Sequence, residues 1–291
     1  MNKLSVLILT KNEEANIVAC LESIRQLADE IIIVDDFSED RTLDIIKNYG
    51  STPLTILSQS KDNSKWTRSK IASPAWGGIK IFQRALNNNF AEQRNYGLEK
   101  ATGEWVLYVD ADERITNSLR ENIKYQIDAI KDRYSRLAGS SIKYQNISAY
   151  KLKRKNFYYG KHEWPKIERL ERLFKKDKLK GWQGELHESP VIDGDINELE
   201  GYLLHYTHQD LSSMLDNTIK WSEIEANLRL KTDHPKMTWW RFPRVMITEF
   251  FNYYIGQKGW KLRIIGLIES LYQSFSIFIT YARLWEKQKG I

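Results

Sequence analysis

Asp110 and Asp112 stand one residue apart, directly after the apolar run Trp105-Val106-Leu107-Tyr108-Val109. In an extended segment that spacing puts both carboxylates on one face. Where the segment ends, both can reach a divalent cation, which takes oxygen ligands readily. A cation held there can also bind diphosphate oxygens and neutralise the charge that builds on a departing nucleoside diphosphate. A second acidic pair, Asp35-Asp36, closes the run Ile31-Ile32-Ile33-Val34. Carboxylates at the end of a buried parallel strand accept hydrogen bonds from ribose hydroxyls or a base N–H. Ser38 and Asp40, just beyond, equally suit an Asx turn that caps a helix from Thr42 onward.

The surrounding pattern supplies the elements that must position these groups. Residues 5–9 read as a buried strand, followed by helical spacing of Ala15, Val18, Leu21, Ile24 and Leu27. Residues 31–34 are a continuous apolar run of the kind found in parallel strands covered on both faces. A helix over 42–49, a strand over 54–57, a helix over 90–101 closing at Gly103, and a strand over 105–109 continue the alternation. Alternating strand and helix predicts an α/β fold with a mostly parallel sheet and ligands at the strand C-terminal ends. Residues 61–88 interrupt it. Lys61, Lys65, Arg68, Lys70, Lys80 and Arg84 face Asp62 alone, with breaks at Pro74 and Gly77-Gly78, which predicts an exposed basic loop with short helical pieces.

Further on, 149–159 and 170–175 read as strands joined through a turn. Residues 211–230 read as an amphipathic helix with Leu211, Leu215, Ile219 and Ile224 on one side and Asp210 as its N-cap. Two aromatic-rich stretches close the chain, 239–254 and 260–285. In the second, Arg263, Gly266, Ser270, Gln273, Ser276, Thr280 and Arg283 form a narrow stripe, and nearly everything else is apolar. The uncharged stretch between Glu269 and Arg283 is thirteen residues, short of the roughly 18–20 needed to span a bilayer. Such a helix, flanked by Lys and Arg, fits an anionic membrane surface; a core helix of a second domain is the alternative.

Composition narrows the class. The chain has 291 residues, 42% hydrophobic and 28% charged, which is globular rather than disordered. The lone Cys20 forms no internal disulfide, as expected in a reducing compartment. The opening apolar run is too short for a secretory signal and meets Lys11-Asn12-Glu13-Glu14 at once. Net charge is +6, but residues 229–291 hold eleven Lys/Arg against four Asp/Glu, so the basic excess is all in the C-terminal fifth, with thirteen of the 35 aromatics.

Several segments occur together in order and spacing: Leu9-Thr10-Lys11-Asn12-Glu13-Glu14, Val34-Asp35-Asp36-Phe37-Ser38-Glu39-Asp40-Arg41-Thr42, Gln93-Arg94-Asn95-Tyr96-Gly97 with Ala101-Thr102-Gly103-Glu104, and Asp110-Ala111-Asp112. Across residues 3–115 they resemble the family 2 glycosyltransferases of GT-A fold. Arg172-Leu173-Phe174, Gly184-Glu185-Leu186-His187-Glu188 and Leu204-His205-Tyr206 extend the match toward the bacterial branch that includes lipopolysaccharide core β-1,4-glucosyltransferases. The resemblance implies a Rossmann-like nucleotide-binding sheet flanked by helices, with a C-terminal amphipathic helical extension. It implies a catalytic domain over 1–208, with a nucleotide-sugar half 1–115 and an acceptor half 116–208, then a membrane-associating region 209–291. It places Thr10, Asn12 and Glu13 in a nucleoside pocket, Asp35 and Asp36 at the base or ribose, and Arg94 near the base or phosphates. Asp110, Ala111 and Asp112 would meet the diphosphate, with Asp110 and Asp112 as ligands of Mn²⁺ or Mg²⁺.

Inverting members use a carboxylate as general base, and by position that is Glu188. From the residues alone, Glu185 and Glu188 both flank His187, and either can stand opposite the leaving diphosphate. His187 is a candidate third metal ligand or an orienting group; His205 and His208 are weaker candidates of the same kind. The expected partners are a nucleotide-sugar donor, a UDP-sugar first, and a glycan or lipid-linked acceptor in envelope or lipopolysaccharide synthesis. The expected place is the cytoplasmic face of the membrane, without nucleic acid. The sequence departs from its relatives in the lengthened segment 61–88, which bears on acceptor contacts rather than on the metal site.

Other classes fit less well. A sugar-nucleotide pyrophosphorylase needs a glycine-rich basic loop after the first strand, and here that place holds Thr10-Lys11-Asn12-Glu13-Glu14. No Gly-X-Gly-X-X-Gly follows a strand, against a dinucleotide oxidoreductase. A nucleic-acid binder would leave the Asp clusters without work. A protein O- or S-glycosyltransferase shares the donor chemistry and differs only in acceptor.

Overall fold

Three apolar runs that the sequence marks as buried lie side by side and parallel. β1 (Leu4–Thr10) pairs with β2 (Glu30–Asp35) on one side and β6 (Trp105–Tyr108) on the other. The computed structural model describes residues 4–49, 55–59, 66–70, 78–136 and 147–291. The remaining elements are α1 (Ile17–Ile24), α2 (Thr42–Asn48), β3 (Thr55–Gln59), β4 (Trp66–Lys70), β5 (Ile79–Gln83), α3 (Phe90–Lys100), β7 (Glu113–Ile115), α4 (Asn117–Arg136), β8 (Ile147–Tyr158), β9 (His162–Lys175), β10 (Leu179–Gln183), β11 (Ser189–Ile192), β12 (Asp195–Tyr206), α5 (Leu211–Lys231), α6 (Arg241–Phe251) and α7 (Arg263–Lys289).

One sheet of ten strands runs β4-β3-β5-β2-β1-β6-β9-β8-β12-β7. Its first half is the expected parallel nucleotide-binding arrangement, with β5 parallel to β2 and β3 parallel to β5. Its second half departs from "mostly parallel": β9 is antiparallel to β6, and β7 to β12. The three-residue link from β8 to β9, with Tyr159 and Gly160 at positive φ, is far too short for a parallel crossover.

Alternation along the strands builds two apolar layers. Leu4, Val6 and Ile8 of β1 join Ile31, Ile33 and Leu107 on the face covered by α1 and α4; Leu7, Ile32 and Val106 face the other way with Tyr108 and Phe174. α3 lies close over β1 because Gly97 leaves room for Leu7: a Cβ there would sit 2.5 Å from a Leu7 methyl.

Three expectations change. Of the expected α1 stripe Leu21, Ile24 and Leu27 are buried, but Ala15 and Val18 are exposed, and Ile17 and Cys20 fill the core in their place. α3 ends at Lys100 with its cap at Ala101, and Gly103 instead donates its N–H to Ser5 Oγ at 2.8 Å. Within 61–88 the described residues form strands β4 and β5 and, at 84–88, an irregular turn, with no helical piece among them; 61–65 and 71–77 lie outside the described residues. β5 alternates Ile79-Lys80-Ile81, so its apolar residues enter the core, and Lys80 neutralises the buried Glu30 at 2.6 Å.

Two compact units divide the chain: residues 1–154 with 168–205, and residues 155–167 with 206–291. In the second, Asp210 caps α5 as expected, accepting from Ser213 N–H at 2.9 Å. The covered side of α5 keeps only Ile224 of the expected one. Leu211, Leu215 and Ile219 are exposed, and Met214, Thr218 and Ser222 are buried. α7 lies along α5, and its Tyr272 hydroxyl donates to Met214 O at 2.6 Å and meets Thr218 Oγ1 at 2.7 Å.

Candidate active site

Strand order reverses direction at β1: the chain moves outward through β2 and β5, then returns to place β6 on the other side. The crevice at such a switch point, beyond the strand C-terminal ends, is where α/β sheets bind ligands. Thr10, Asp35 and the turn after β6 all stand there. Thr10 and Asp35 are register partners.

The two loops on the β1–β2 side are knitted together. Asn12, at φ 55, donates its N–H to Ser38 Oγ (2.9 Å) and accepts from Glu39 N–H (2.8 Å). Glu13 N–H donates to Thr42 Oγ1 at 2.7 Å, and its carboxylate takes Asn16 Nδ2 at 2.8 Å. The Asp35 carboxylate is wholly buried, accepting from Ser38 and Gln83, so it is consumed by the Asx turn. Asp36 is the member of that pair with exposed surface; it accepts Leu86 N–H at 2.9 Å and lies 3.9 Å from Lys11 Nζ. Thr10 Oγ1 is buried and has no partner. Burial, and then the Asp112 charge, push the Glu13 carboxyl up to about 7.

Strand parity decides where Asp110 points. Val106 and Tyr108 face the α3 layer, Leu107 and Val109 the α1 layer, and Ala111 is buried in the latter. Asp110 keeps the parity of Tyr108 and meets Arg94 of α3. Strand alternation does not extend to Asp112, because β6 ends at Tyr108 and Glu113 N–H closes a turn onto Asp110 O at 2.9 Å, and the two carboxylates take different partners. Asp112 instead meets His205: Nε2 is 3.0 Å from Asp112 Oδ2. The β12–β7 pairing sets this up, with His205 opposite Glu113. Burial alone would disfavour the imidazolium, but the Asp112 carboxylate outweighs it and raises the His205 pKa.

From Asp110 outward the charges alternate in a row. Arg94 Nη2 lies 3.2 Å from Asp110, and Arg94 Nε lies 2.8 Å from Glu188. On the other side Arg172 lies 2.7 Å from Asp110 and 3.4 Å from Glu113; Arg154 then joins Glu113 at 3.1 Å and Glu168 at 2.6 Å. The row therefore reads Glu188, Arg94, Asp110, Arg172, Glu113, Arg154, Glu168. Burial acts to raise the Asp110 carboxyl, but Arg172 and then Arg94 hold it far below the usual carboxylate range. Glu113, fully buried, also accepts the Asp110 N–H at 2.9 Å.

Gln93, Arg94 and Asn95 each hold one part of this arrangement. The Gln93 amide grips Arg84, donating to its carbonyl and accepting from its guanidinium, both at 2.7 Å. Arg94 bridges the two carboxylates, and its guanidinium stacks over the Trp182 ring at 5.1 Å. Asn95 accepts from Trp182 N–H at 2.7 Å and donates to Trp182 O at 2.9 Å, clamping β10. β10 and β11 form a hairpin whose loop carries Glu185, His187 and Glu188. Glu188 reaches Arg94; Glu185 binds through its backbone, its carbonyl accepting Phe90 N–H at 2.9 Å; His187 is exposed. Arg94 Nη1 is buried without a partner, so the guanidinium keeps both Nη1 N–H bonds to give.

Sequence reasoning gave no role to Arg172 or Glu113 and discounted His205. A signal was present: Arg172 sits in the buried half of β9 next to Leu173 and Phe174, where a cation needs a carboxylate partner.

The glycosyl transferase family 2 model matches residues 5–186. The chain belongs to that family. It is 24% identical to the lipopolysaccharide core biosynthesis glycosyltransferase LpsC of Rhizobium meliloti (strain 1021), over 98% of this chain and 92% of that protein. It is likewise 24% identical to an uncharacterized glycosyltransferase of Rickettsia typhi, over 98% of this chain and 88% of that one. A solved mannosyltransferase from Pyrobaculum calidifontis, in complex with GDP-Man and Mn²⁺, shares the fold at TM-score 0.50 and 14% identity, covering 98% of this chain and 88% of that one. The chain is thus a glycosyltransferase of family 2 with a GT-A-type fold.

Proposed function

We propose that the reaction is an inverting, cation-assisted transfer from a UDP-sugar to a glycan or lipid-linked acceptor of the bacterial envelope, at the cytoplasmic face of the membrane. The observation that carries it is the Glu188–Arg94–Asp110 bridge, which links a carboxylate suited to deprotonating an acceptor hydroxyl to the group facing the leaving diphosphate. The acceptor oxygen attacks the anomeric carbon, its proton passes to Glu188, and the bond to the diphosphate breaks on the opposite face. Arg94, through its unpartnered Nη1, donates to a diphosphate oxygen. Asp36 and Thr10, at the ends of β2 and β1, meet the nucleoside.

Among the described residues no three His, Cys, Asp or Glu side chains converge as a ready-made metal cage, so a divalent cation would take two protein ligands and fill the rest of its shell from the diphosphate and water. Asp112 and His205 bring one carboxylate and one imidazole together, a donor pair compatible with Mn²⁺ once His205 gives up its proton. Both Asp110 oxygens are taken by arginines, so Asp112 and His205, rather than Asp110 and His187, are the first residues to hold it. Bound there, the cation supplies charge neutralisation to the leaving diphosphate. The similarity to LpsC supports a lipopolysaccharide-type acceptor.

A thermal-shift screen of nucleotide-sugars with and without Mn²⁺ tests this reading. Selective stabilisation by a UDP-sugar, dependent on Mn²⁺ and lost in Asp112→Ala, is expected. Stabilisation by no nucleotide-sugar would overturn it.

A further inference from the structure

The second unit is amphipathic in the reverse sense to a soluble protein. On α7 the polar stripe is the covered side: Glu269, Ser270 and Thr280 are buried. The wide apolar side is left outside, with Ile264, Ile268, Leu271 and Phe275 exposed at helical spacing. α5 repeats this, hiding Thr218 and Ser222 while Leu211, Leu215 and Ile219 are exposed. Apolar surface of this extent on a soluble chain marks a contact site.

The pattern is sharpest where α6 turns back into α7. The chain makes a π-helical turn at Asn252–Gly256 and a 3-10 turn at Gly259–Leu262. Phe251, Ile255, Trp260 and Ile264 are between 50% and 63% exposed there. Lys258, Lys261 and Arg263 stand among them, exposed and without a carboxylate partner among the described residues. No Asp or Glu occurs between Glu249 and Glu269. The turn is tightly built. A Cβ on Gly266 would lie 1.8 Å from the Gly259 carbonyl oxygen, and one on Gly259 would lie 2.6 Å from the Trp164 ring. Lys258 and Arg263 hold positive φ, at 62° and 51°.

We infer that this tip, residues 251–264, docks the protein on an anionic bilayer. Trp260 and the apolar side chains around it enter the headgroup boundary, and Lys258, Lys261 and Arg263 meet lipid phosphates. Charge selects this occupant over a second copy of the chain, because an isologous contact would set three unpaired cations against the same three. α7 lies on the membrane and does not cross it. It is long and apolar enough to span by composition. Yet Glu269 is buried against His208 at 3.0 Å, and Arg283 and Lys287 pair with Glu223 of α5 at 3.0 and 2.6 Å. This docking stands on the second unit alone and holds whatever the donor sugar.

Deleting 239–291 would strip the core of the unit, so exposed-residue substitutions in the full chain are the test. The full chain is floated with vesicles of phosphatidylcholine alone, or with phosphatidylglycerol at roughly a third of the lipid, enough to give a negative surface potential. Wild type binds the anionic vesicles at least about tenfold better, and raised salt weakens the binding. Ile255→Ser with Trp260→Ser lowers binding by about a hundredfold. Lys258→Glu with Lys261→Glu lowers it by at least about tenfold on anionic vesicles only. Unchanged melting temperatures show that both variants remain folded. Absence of wild-type binding to anionic vesicles, or wild-type binding by both folded variants, overturns the inference. So does a wild-type dimer in sedimentation velocity that the tip variants dissociate, which would make the face a subunit contact.

Discussion

Arg94 touches both ends of the proposed chemistry, and its neighbours differ in what their loss would do. Glu188→Gln keeps the shape of the hairpin loop and removes the proton acceptor. Its kcat is expected to fall by about 10²–10⁴-fold with donor KM little changed, measured by initial rates of nucleoside diphosphate release. Glu185→Gln is expected to stay near wild type, since the carboxylate that reaches Arg94 is that of Glu188; the reverse outcome moves the base to Glu185. Arg172→Met leaves Asp110 and Glu113 buried with one countercharge fewer. A loss of about 3–5 kcal/mol is expected from urea denaturation. The acidic ends of strands were legible in the sequence because they interrupt apolar runs. Arg172, Glu113 and His205 were not, because each takes its meaning from a partner on a distant strand.

The β10–β11 hairpin owes its place to α3, and chiefly to the Asn95 amide, which imitates a strand neighbour by giving and taking one hydrogen bond with Trp182. Asn95→Ala removes both bonds. Stability is expected to drop by about 1–3 kcal/mol, and kcat to fall more than donor affinity, because the loop bearing Glu188 loses its anchor. Comparing donor Kd by calorimetry with kcat separates this from general unfolding. The parallel half of the sheet was readable from periodicity alone, since buried strands write themselves as unbroken apolar runs. The face of α5 was misread for a physical reason, whereas the apolar side of α7 is exposed as a surface-lying helix requires. Periodicity shows that a helix has two sides, and the assignment of the apolar side to the core assumes water outside. In this unit the seam is hydrogen-bonded through Tyr272 and Thr218.

Stability of the whole molecule should carry the signature of Glu13. Its carboxyl titrates near 7 in the folded protein, against 4.5 for the ordinary group. Between those values the folded chain holds a proton that the unfolded chain has released, so stability falls as pH rises from about 4.5 to 7 and stays lower above it. The loss is expected to be on the order of 1–2 kcal/mol after allowance for solvent at this half-buried site. Denaturation midpoints in chelator at several pH values check it, with Glu13→Gln expected to give a flatter curve than wild type. The row of alternating charges bears on how the molecule assembles as well as on what it does. Four of its six links join residues 94, 62, 59 and 41 positions apart along the chain. Contacts of that span close late, after the loops between them have been ordered. A nascent or refolding chain can therefore bury β1 against β2 before the four long links of the row have formed. Transferase activity would then be the last property to return.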